Sequence, residues 1–296
     1  MGLAAPSHTR AGLATKLMHP ILFQLGAITV YTYGVLVASG VILALLYARH
    51  RAVVVGLPPR EIWDLGIYMI FAALIASKIW LVLSSWNYYV ANPSQIFSIA
   101  TFESAGTFYG GLAGSIVMIF VYARLRKLPL LPVFDVSAAA LPLAHALGRL
   151  GCFAAGCCFG KPTTLPWGVI FTNEQAARLA GTPLGVSLHP TQLYEAAAEF
   201  LNFLLLVLLG ARQKFSGQIL GAYFMLYGTE RAIIEFFRGD PGRTLMFHGT
   251  LSLMQIVSVG LIFTGAGLWW RGLRGARVPP ASGAFSPDSF ATPAIK

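Results

Sequence analysis

Charge is what this sequence has least of. Only 11% of its 296 residues are Asp, Glu, Lys or Arg, less than half the roughly 25% of an ordinary soluble domain. A chain this long with so few ionisable side chains cannot cover a water-facing surface, which excludes a cytosolic enzyme. Acidic residues are scarcer still, 11 against 21 basic. The resulting net charge of +10 points to the cytoplasmic ends of spanning helices and not to nucleic acid. There are three cysteines, Cys152, Cys157 and Cys158, all within one short stretch. An odd, clustered set excludes a disulfide framework and marks one local site. No glycine loop of the nucleotide-binding type is present.

What fills the chain is apolar: 56% hydrophobic residues and a mean hydropathy of +0.68. A hydrocarbon core of about 30 Å takes roughly 20 apolar residues per helix. The sequence divides into seven such stretches, near 28–48, 62–83, 107–124, 133–150, 192–209, 217–238 and 251–270. The expected fold is therefore an all-α integral membrane protein with seven transmembrane helices. Arg49, Arg51 and Arg60, then Arg124, Arg126 and Lys127, then Arg212 and Lys214, and finally Arg271, Arg274 and Arg277 fall on one side of these spans. The positive-inside rule puts that side, and the carboxyl terminus, in the cytoplasm and the amino terminus outside. Trp86, Tyr88 and Tyr89 fall at an outer aromatic belt. The expected organisation is a periplasmic leader over 1–27, which lacks the pattern of a cleaved signal peptide, a transmembrane domain over 28–275 with a small periplasmic head over 151–190, and a disordered cytoplasmic tail over 276–296.

Ionisable residues inside a span cost about 2.5–3.5 kcal/mol each on insertion scales, so they are paired or functional. In "LYGTERAIIEFFR", Tyr227, Arg231 and Glu235 recur every four residues and share one helical face. They form either a structural ion pair or part of a site. In "LPLAHALGRLGCFAAGCCFG", His145 and Arg149 stack in the same way. A guanidinium there, flanked by Gly148 and Gly151, offers parallel donors to a lipid phosphate. His145 is a candidate base or a hydrogen-bonded packing residue. In "SLHPTQLYEAAAEF", Pro190, Thr191, Gln192, Tyr194, Glu195 and Glu199 crowd a helix start. That is the mouth of a cavity or a hydrated helix end. Gly110, Gly111 and Gly114 after Tyr109 read most simply as a close helix contact.

Together these segments resemble the prolipoprotein diacylglyceryl transferase family. The resemblance runs in order through "YTYGVL", "FESAGTFYGG", "GRLGCF", "HPTQLYE", "YGTERAIIEFFR" and "LSLMQIVS". It implies a multi-pass protein of the bacterial cytoplasmic (inner) membrane that transfers the sn-1,2-diacylglyceryl group of phosphatidylglycerol to the lipobox cysteine of a prolipoprotein signal peptide and releases glycerol 1-phosphate. It implies no cofactor and no metal. The residues carried over by match are Tyr33, Arg149, Tyr227, Arg231, Glu235, Gln192 and Glu195, with both arginines on the lipid phosphate. Arg231 and Glu235 are assigned to catalysis. Tyr33, Tyr227, Gln192, Glu195, Gly148, Arg149 and Gly151 are assigned to substrate binding.

The chain also departs from the family pattern. Where the family has a histidine before the paired glycines of the third span, Tyr109 stands here. Where it has Asn, Asn and Glu after the arginine signature, this chain has Cys152, Ala155 and Cys157. We expect His145 to supply the lost imidazole as base, and Tyr109, a poor base at neutral pH, to donate a hydrogen bond to phosphate. The cysteines read as an outer-face disulfide, as small-residue packing, or as a metal site weakened by its lack of a fourth ligand. Two other functions stay open: a phospholipid-binding or transport-like paralogue without catalysis, and a transferase with another acceptor.

Overall fold

The structure is a computed structural model that describes residues 19–26, 28–98, 108–239, 245–246 and 250–275. The readings made above for the leader up to residue 18, for the part of "FESAGTFYGG" before Phe108, and for the tail from residue 276, including Arg277, lie outside the described residues.

Among the described residues seven long helices follow one another: α1 (Thr32–Val54), α2 (Pro59–Ser84), then, after the short α3 (Trp86–Ala91) and a 3-10 turn (Pro93–Phe97), α4 (Phe108–Leu125), α5 (Leu130–Ala155), and, after the short α6 (Glu174–Ala180), α7 (Thr191–Gly210), α8 (Gln218–Ile234) and α9 (Leu253–Gly275). At about 1.5 Å per residue the 23 residues of α1 span roughly 35 Å, enough for the hydrocarbon core. By length and composition α1, α2, α5, α7 and α9 are each long and apolar enough to cross a membrane, and α4 is a shorter apolar helix. Their lipid-type surfaces are unpaired within the chain: Phe71, Ile75, Phe120, Leu208 and Phe263 are all exposed.

The helix ends differ from the apolar runs where local chemistry overrides hydropathy. Residues 28–31, expected inside the first span, instead form β2 (Ile28–Tyr31), antiparallel to β1 (Ile21–Leu25). Their β-branched and aromatic content suits a strand. Two further ribbons are minimal, β3 (Val169–Ile170) with β4 (Ser187–Leu188), and β5 (Leu245–Met246) with β6 (Leu251–Ser252). The start of α9 is fixed by a reciprocal capping box: Gln255 Oε1 accepts from the Ser252 amide at 3.0 Å, and Ser252 Oγ accepts from the Gln255 amide at 3.2 Å. Arg51, expected as a loop anchor, lies in the last turn of α1 and is buried.

The chain divides into two compact units. One comprises the described residues within 45–137. Within it α4 lies directly against α2. A Cβ at Gly110 would come 2.6 Å from the Ala76 carbonyl oxygen, and one at Gly114 would come 2.6 Å from the Ala72 carbonyl oxygen. The glycines thus make the close helix contact that their spacing suggests. At the far end of α4 and α2, Tyr122 donates to Glu61 at 2.6 Å and Arg126 pairs with the same carboxylate at 3.1 Å.

The other unit comprises the described residues up to 44 and from 138 onward, and holds every candidate site residue named above except Tyr109. Its helices α8 and α9 meet at small residues: a Cβ on Gly221 would come 3.0 Å from the Gly265 carbonyl oxygen. The segment expected as a head from Gly151 begins later, because α5 continues through Ala155 and ends at Gly156, whose φ of +80° suits glycine. Beyond it Phe153, Phe159, Val169, Phe171 and Leu188 form a small buried core, with Leu193 of α7 against it. Within this segment α6 is capped by Asn173, whose side chain accepts from the amides of Gln175 and Ala176, and stopped by Gly181 in the left-handed region.

Candidate active site

Three helices of this unit, α5, α7 and α8, carry the polar residues. On α5, His145, Arg149 and Cys152 share one face; on α7, Glu195, Glu199 and Asn202 do the same. Helix α7 has Pro190 as its N-cap, and Thr191 Oγ1 donates to the Cys158 carbonyl at 2.8 Å. Gln192 Nε2 donates to the Cys157 carbonyl at 2.7 Å. These two bonds tie the turn after α5 onto the mouth of α7.

Below that mouth the two faces interlock. Arg149 Nη2 pairs with Glu195 Oε1 at 2.7 Å, and Arg149 Nε donates to His145 Nε2 at 3.2 Å. His145 Nδ1 is hydrogen-bonded to Glu199 Oε1. This network fits a neutral ring protonated on Nδ1, with its Nε2 lone pair turned to the arginine. Glu195 Oε1 lies 3.6 Å from the same Nε2. Both carboxylates are buried, and Glu199 Oε2 has no hydrogen-bond partner among the described residues. The Oε1 oxygens of the pair are therefore turned to Arg149 and His145 and not to water.

Helix α8 closes a third side. The ring of Tyr227 lies 5.8 Å from that of His145 and 5.7 Å from that of Tyr223, on which it stacks. Its phenol is within electrostatic reach of Glu195, Arg231, Glu199 and Arg149. Arg231 Nη2 pairs with Glu235 Oε2 at 2.8 Å, with both side chains buried. Arg231 Nη1 is buried without a hydrogen-bond partner among the described residues. Such an orphaned donor on a charged group is expensive in a protein interior and calls for an explanation.

The two glycines on α5 do different things. A Cβ at Gly151 would lie 3.0 Å from Tyr33 Cδ2 and 3.3 Å from the Tyr33 backbone, so Gly151 seats the start of α1. At Gly148 a Cβ would meet nothing within 4 Å, so one turn of α5 beside Arg149 borders open space. Tyr33 lies within electrostatic reach of Arg149 and of all three cysteines.

The sequence thus brings together His145, Gly148, Arg149, Gly151, Tyr33, Gln192, Glu195, Tyr227, Arg231 and Glu235 in one unit. Tyr109 belongs to the other unit, half exposed in the first turn of α4. Two participants were missed. Glu230, buried on α8, accepts from Asn202 Nδ2 at 2.5 Å and extends the polar track along α7. The recurrence of polar residues at 195, 199 and 202 was the available signal for Asn202; for Glu230 it was a second acid beside Arg231. Glu199, noted in the crowded segment but given no role, is the direct partner of His145.

The cysteines are free thiols, not a disulfide. The Cys157 thiol donates to the Cys152 carbonyl at 3.7 Å, and the Cys158 thiol is held below the ordinary thiol range by the neighbouring Cys152 and Cys157 thiols, aided by Arg238 and Arg149. Farther out, Tyr194 Oη accepts from Trp167 Nε1 at 2.8 Å, and the rings of Tyr194, His189 and Phe237 pack edge to face. Backbone bonds from Gly160 to His189 and from Lys161 to Phe237 fasten the segment after α5 onto the end of α8.

Comparison with known proteins gives the family to which the chain is similar. The family model described as prolipoprotein diacylglyceryl transferase matches residues 20–271. The chain is similar to the phosphatidylglycerol–prolipoprotein diacylglyceryl transferase of Clostridioides difficile, 35% identical over 247 residues, covering 83% of this chain and 92% of the relative. It is 31% identical to that of Clostridium tetani over 248 residues, 84% of this chain and 95% of the relative. With that of Brucella anthropi it shares 32% over 281 residues, 90% of this chain and 96% of the relative. With the match covering the arginines of α5 and α8 and the carboxylates of α7 alike, the chain belongs to the prolipoprotein diacylglyceryl transferase family.

Proposed function

We propose that the cluster on α5, α7 and α8 is where this chain moves the diacylglyceryl group of phosphatidylglycerol onto the lipobox cysteine thiol of a prolipoprotein. The thiol sulfur attacks the glycerol carbon that bears the phosphate ester. The carbon–oxygen bond breaks, glycerol 1-phosphate leaves with the electron pair, and the thiol proton passes to a base. The observation that carries this reading is Arg231: a buried guanidinium, paired on one side by Glu235, whose Nη1 has no hydrogen-bond partner among the described residues. A phosphate oxygen supplies the acceptor that this donor lacks. In a site of low dielectric, a donor fixed where charge develops stabilises the leaving phosphate far more than it would in water.

Arg149 serves as the second phosphate ligand, and its bond to His145 connects the two roles. When phosphate draws the guanidinium away, Nε2 of His145 is left with a free lone pair for the thiol proton, while Glu199 holds Nδ1. Tyr227 and Tyr33 border the lipid head group, and the open side of Gly148 gives a lane for the glycerol. Gln192 acts through the turn that it clamps. The role given to Tyr109, a phenol donating to phosphate, rests on its sequence position.

In this reading α1, α2, α4, α5, α7, α8 and α9 are seven spans of the bacterial inner membrane. The amino terminus and the head from Gly156 to Pro190 face the periplasm, where the lipobox cysteine emerges, and the basic carboxyl end faces the cytoplasm. The reaction draws on the lipid, the thiol and the protein's own side chains. The test is reconstitution of the purified protein into phosphatidylglycerol vesicles with a lipobox peptide. Lipidated peptide and glycerol 1-phosphate are expected in equal amounts; lipid binding without either product would refute the proposal.

A further inference from the structure

The reaction makes no use of the three cysteines, yet the chain is shaped to bring them together. Cys152 sits in the last turn but one of α5. The helix then stops at Gly156, with φ +80°, and Cys158 takes φ +62°, a left-handed conformation that a side chain bearing a Cβ adopts at a cost. The peptide carbonyls of Cys157 and Cys158 are held by Gln192 and Thr191. The outcome is that the three Sγ atoms lie within 4.8 Å of one another. Plain packing of small residues would not require a strained turn, and a disulfide would engage two sulfurs and strand the third.

Three sulfurs about 2.3 Å from one ion stand roughly 3.8–4.0 Å apart, so the cluster is within an ångström of closing on a metal. No fourth His, Cys, Asp or Glu belongs to the group among the described residues. That donor set matches a soft ion content with three thiolates and not the four-coordinate site of structural zinc. We propose that Cys152, Cys157 and Cys158 form a three-thiolate site for a soft monovalent ion, with Cu(I) as its occupant. Three thiolates on one monovalent ion carry two net negative charges, and Arg149 and Arg238 both act electrostatically on the cluster. The thiols keep partial exposure, which leaves an entry path. The sequence alone weakened the metal reading for want of a fourth ligand; what spacing omits is the turn that folds Cys157 and Cys158 back over Cys152.

The experiment uses the whole protein, reduced, anaerobic and in detergent micelles, titrated with Cu(I) against a chromophoric Cu(I) chelator. About one equivalent is expected per chain, with X-ray absorption showing sulfur as the only first neighbours. Cys157→Ser should weaken binding by roughly 100-fold or more, since disturbing even an outer partner of a metal ligand costs 10–100-fold. Cys152→Ser should do the same, and the thermal melt of each variant without copper establishes that it is folded. Substoichiometric binding by reduced wild type, nitrogen or oxygen neighbours, or binding that survives loss of two cysteines would each overturn the assignment.

Discussion

Glu199 is the residue whose contribution follows most directly from the geometry. It is fully buried, it holds Nδ1 of His145, and its second oxygen has no hydrogen-bond partner among the described residues. A hydrogen bond to a charged group contributes about 1.5–3 kcal/mol and a neutral one about 0.5–1.5 kcal/mol. Glu199→Gln keeps the shape and an acceptor but discards the charge, a loss of about 1–1.5 kcal/mol. If the bond orients the base in the transition state, kcat falls roughly 5- to 12-fold. Glu199→Ala removes the whole bond and lowers kcat roughly 10- to 150-fold. The Michaelis constant for phosphatidylglycerol should hold steady, because Glu199 acts through His145 and touches no lipid in this account. The assay is the initial rate of peptide lipidation in vesicles, repeated in a His145→Ala background. There Glu199→Gln should change the residual rate by no more than roughly twofold, the spread of experimental additivity. Equal losses in both backgrounds would show that Glu199 works independently of His145 and refute the proposed relay.

Four further outcomes follow from contacts already described. Glu195→Ala leaves Arg149 without its buried counterion and should destabilise the protein by about 3–5 kcal/mol, while Arg149→Met with Glu195→Leu recovers most of the loss; a thermal melt in micelles reads both. Gly114→Val forces a side chain onto the α2 backbone and should cost about 1–3 kcal/mol in the same melt. Gly148→Ala, whose added Cβ would meet nothing within 4 Å among the described residues, should melt at or up to about 1 kcal/mol above wild type yet raise the Michaelis constant for phosphatidylglycerol. Phe171→Ala in the small core after α5 should cost about 3–5 kcal/mol and open that segment to limited proteolysis.

How much of this was readable beforehand depended on whether the information was local. Apolar run length anticipated the seven long helices of the described residues to within several residues, and five of them are long and apolar enough to cross a membrane. The four-residue spacings of His145 with Arg149 and of Arg231 with Glu235 translated directly into contacts of 3.2 and 2.8 Å. Spacing was silent on bonds between helices, so Glu199 with His145 and Glu230 with Asn202 emerged only when α5, α7 and α8 were seen side by side. It was equally silent on where polar backbone would end a helix. The extension of α5 to Ala155 moved Gly151 from head to helix, and the left-handed Cys158 turned a loose cysteine spacing into a compact cluster. Tyr33 and Gly151 lie far apart in the sequence; that they touch could be had only from the resemblance to a family, which carries the memory of such pairings without their cause.

The central claim is that Arg149 and Arg231 hold the phosphate that leaves. Its most direct test is the release of glycerol 1-phosphate by Arg149→Ala, Arg231→Ala and Arg231→Lys, each reconstituted beside wild type. The account predicts no release from either alanine variant and a marked loss in Arg231→Lys, because an ammonium keeps the charge but not the planar pair of donors that serves Glu235 and phosphate together. Release by Arg231→Ala at the wild-type rate would contradict it.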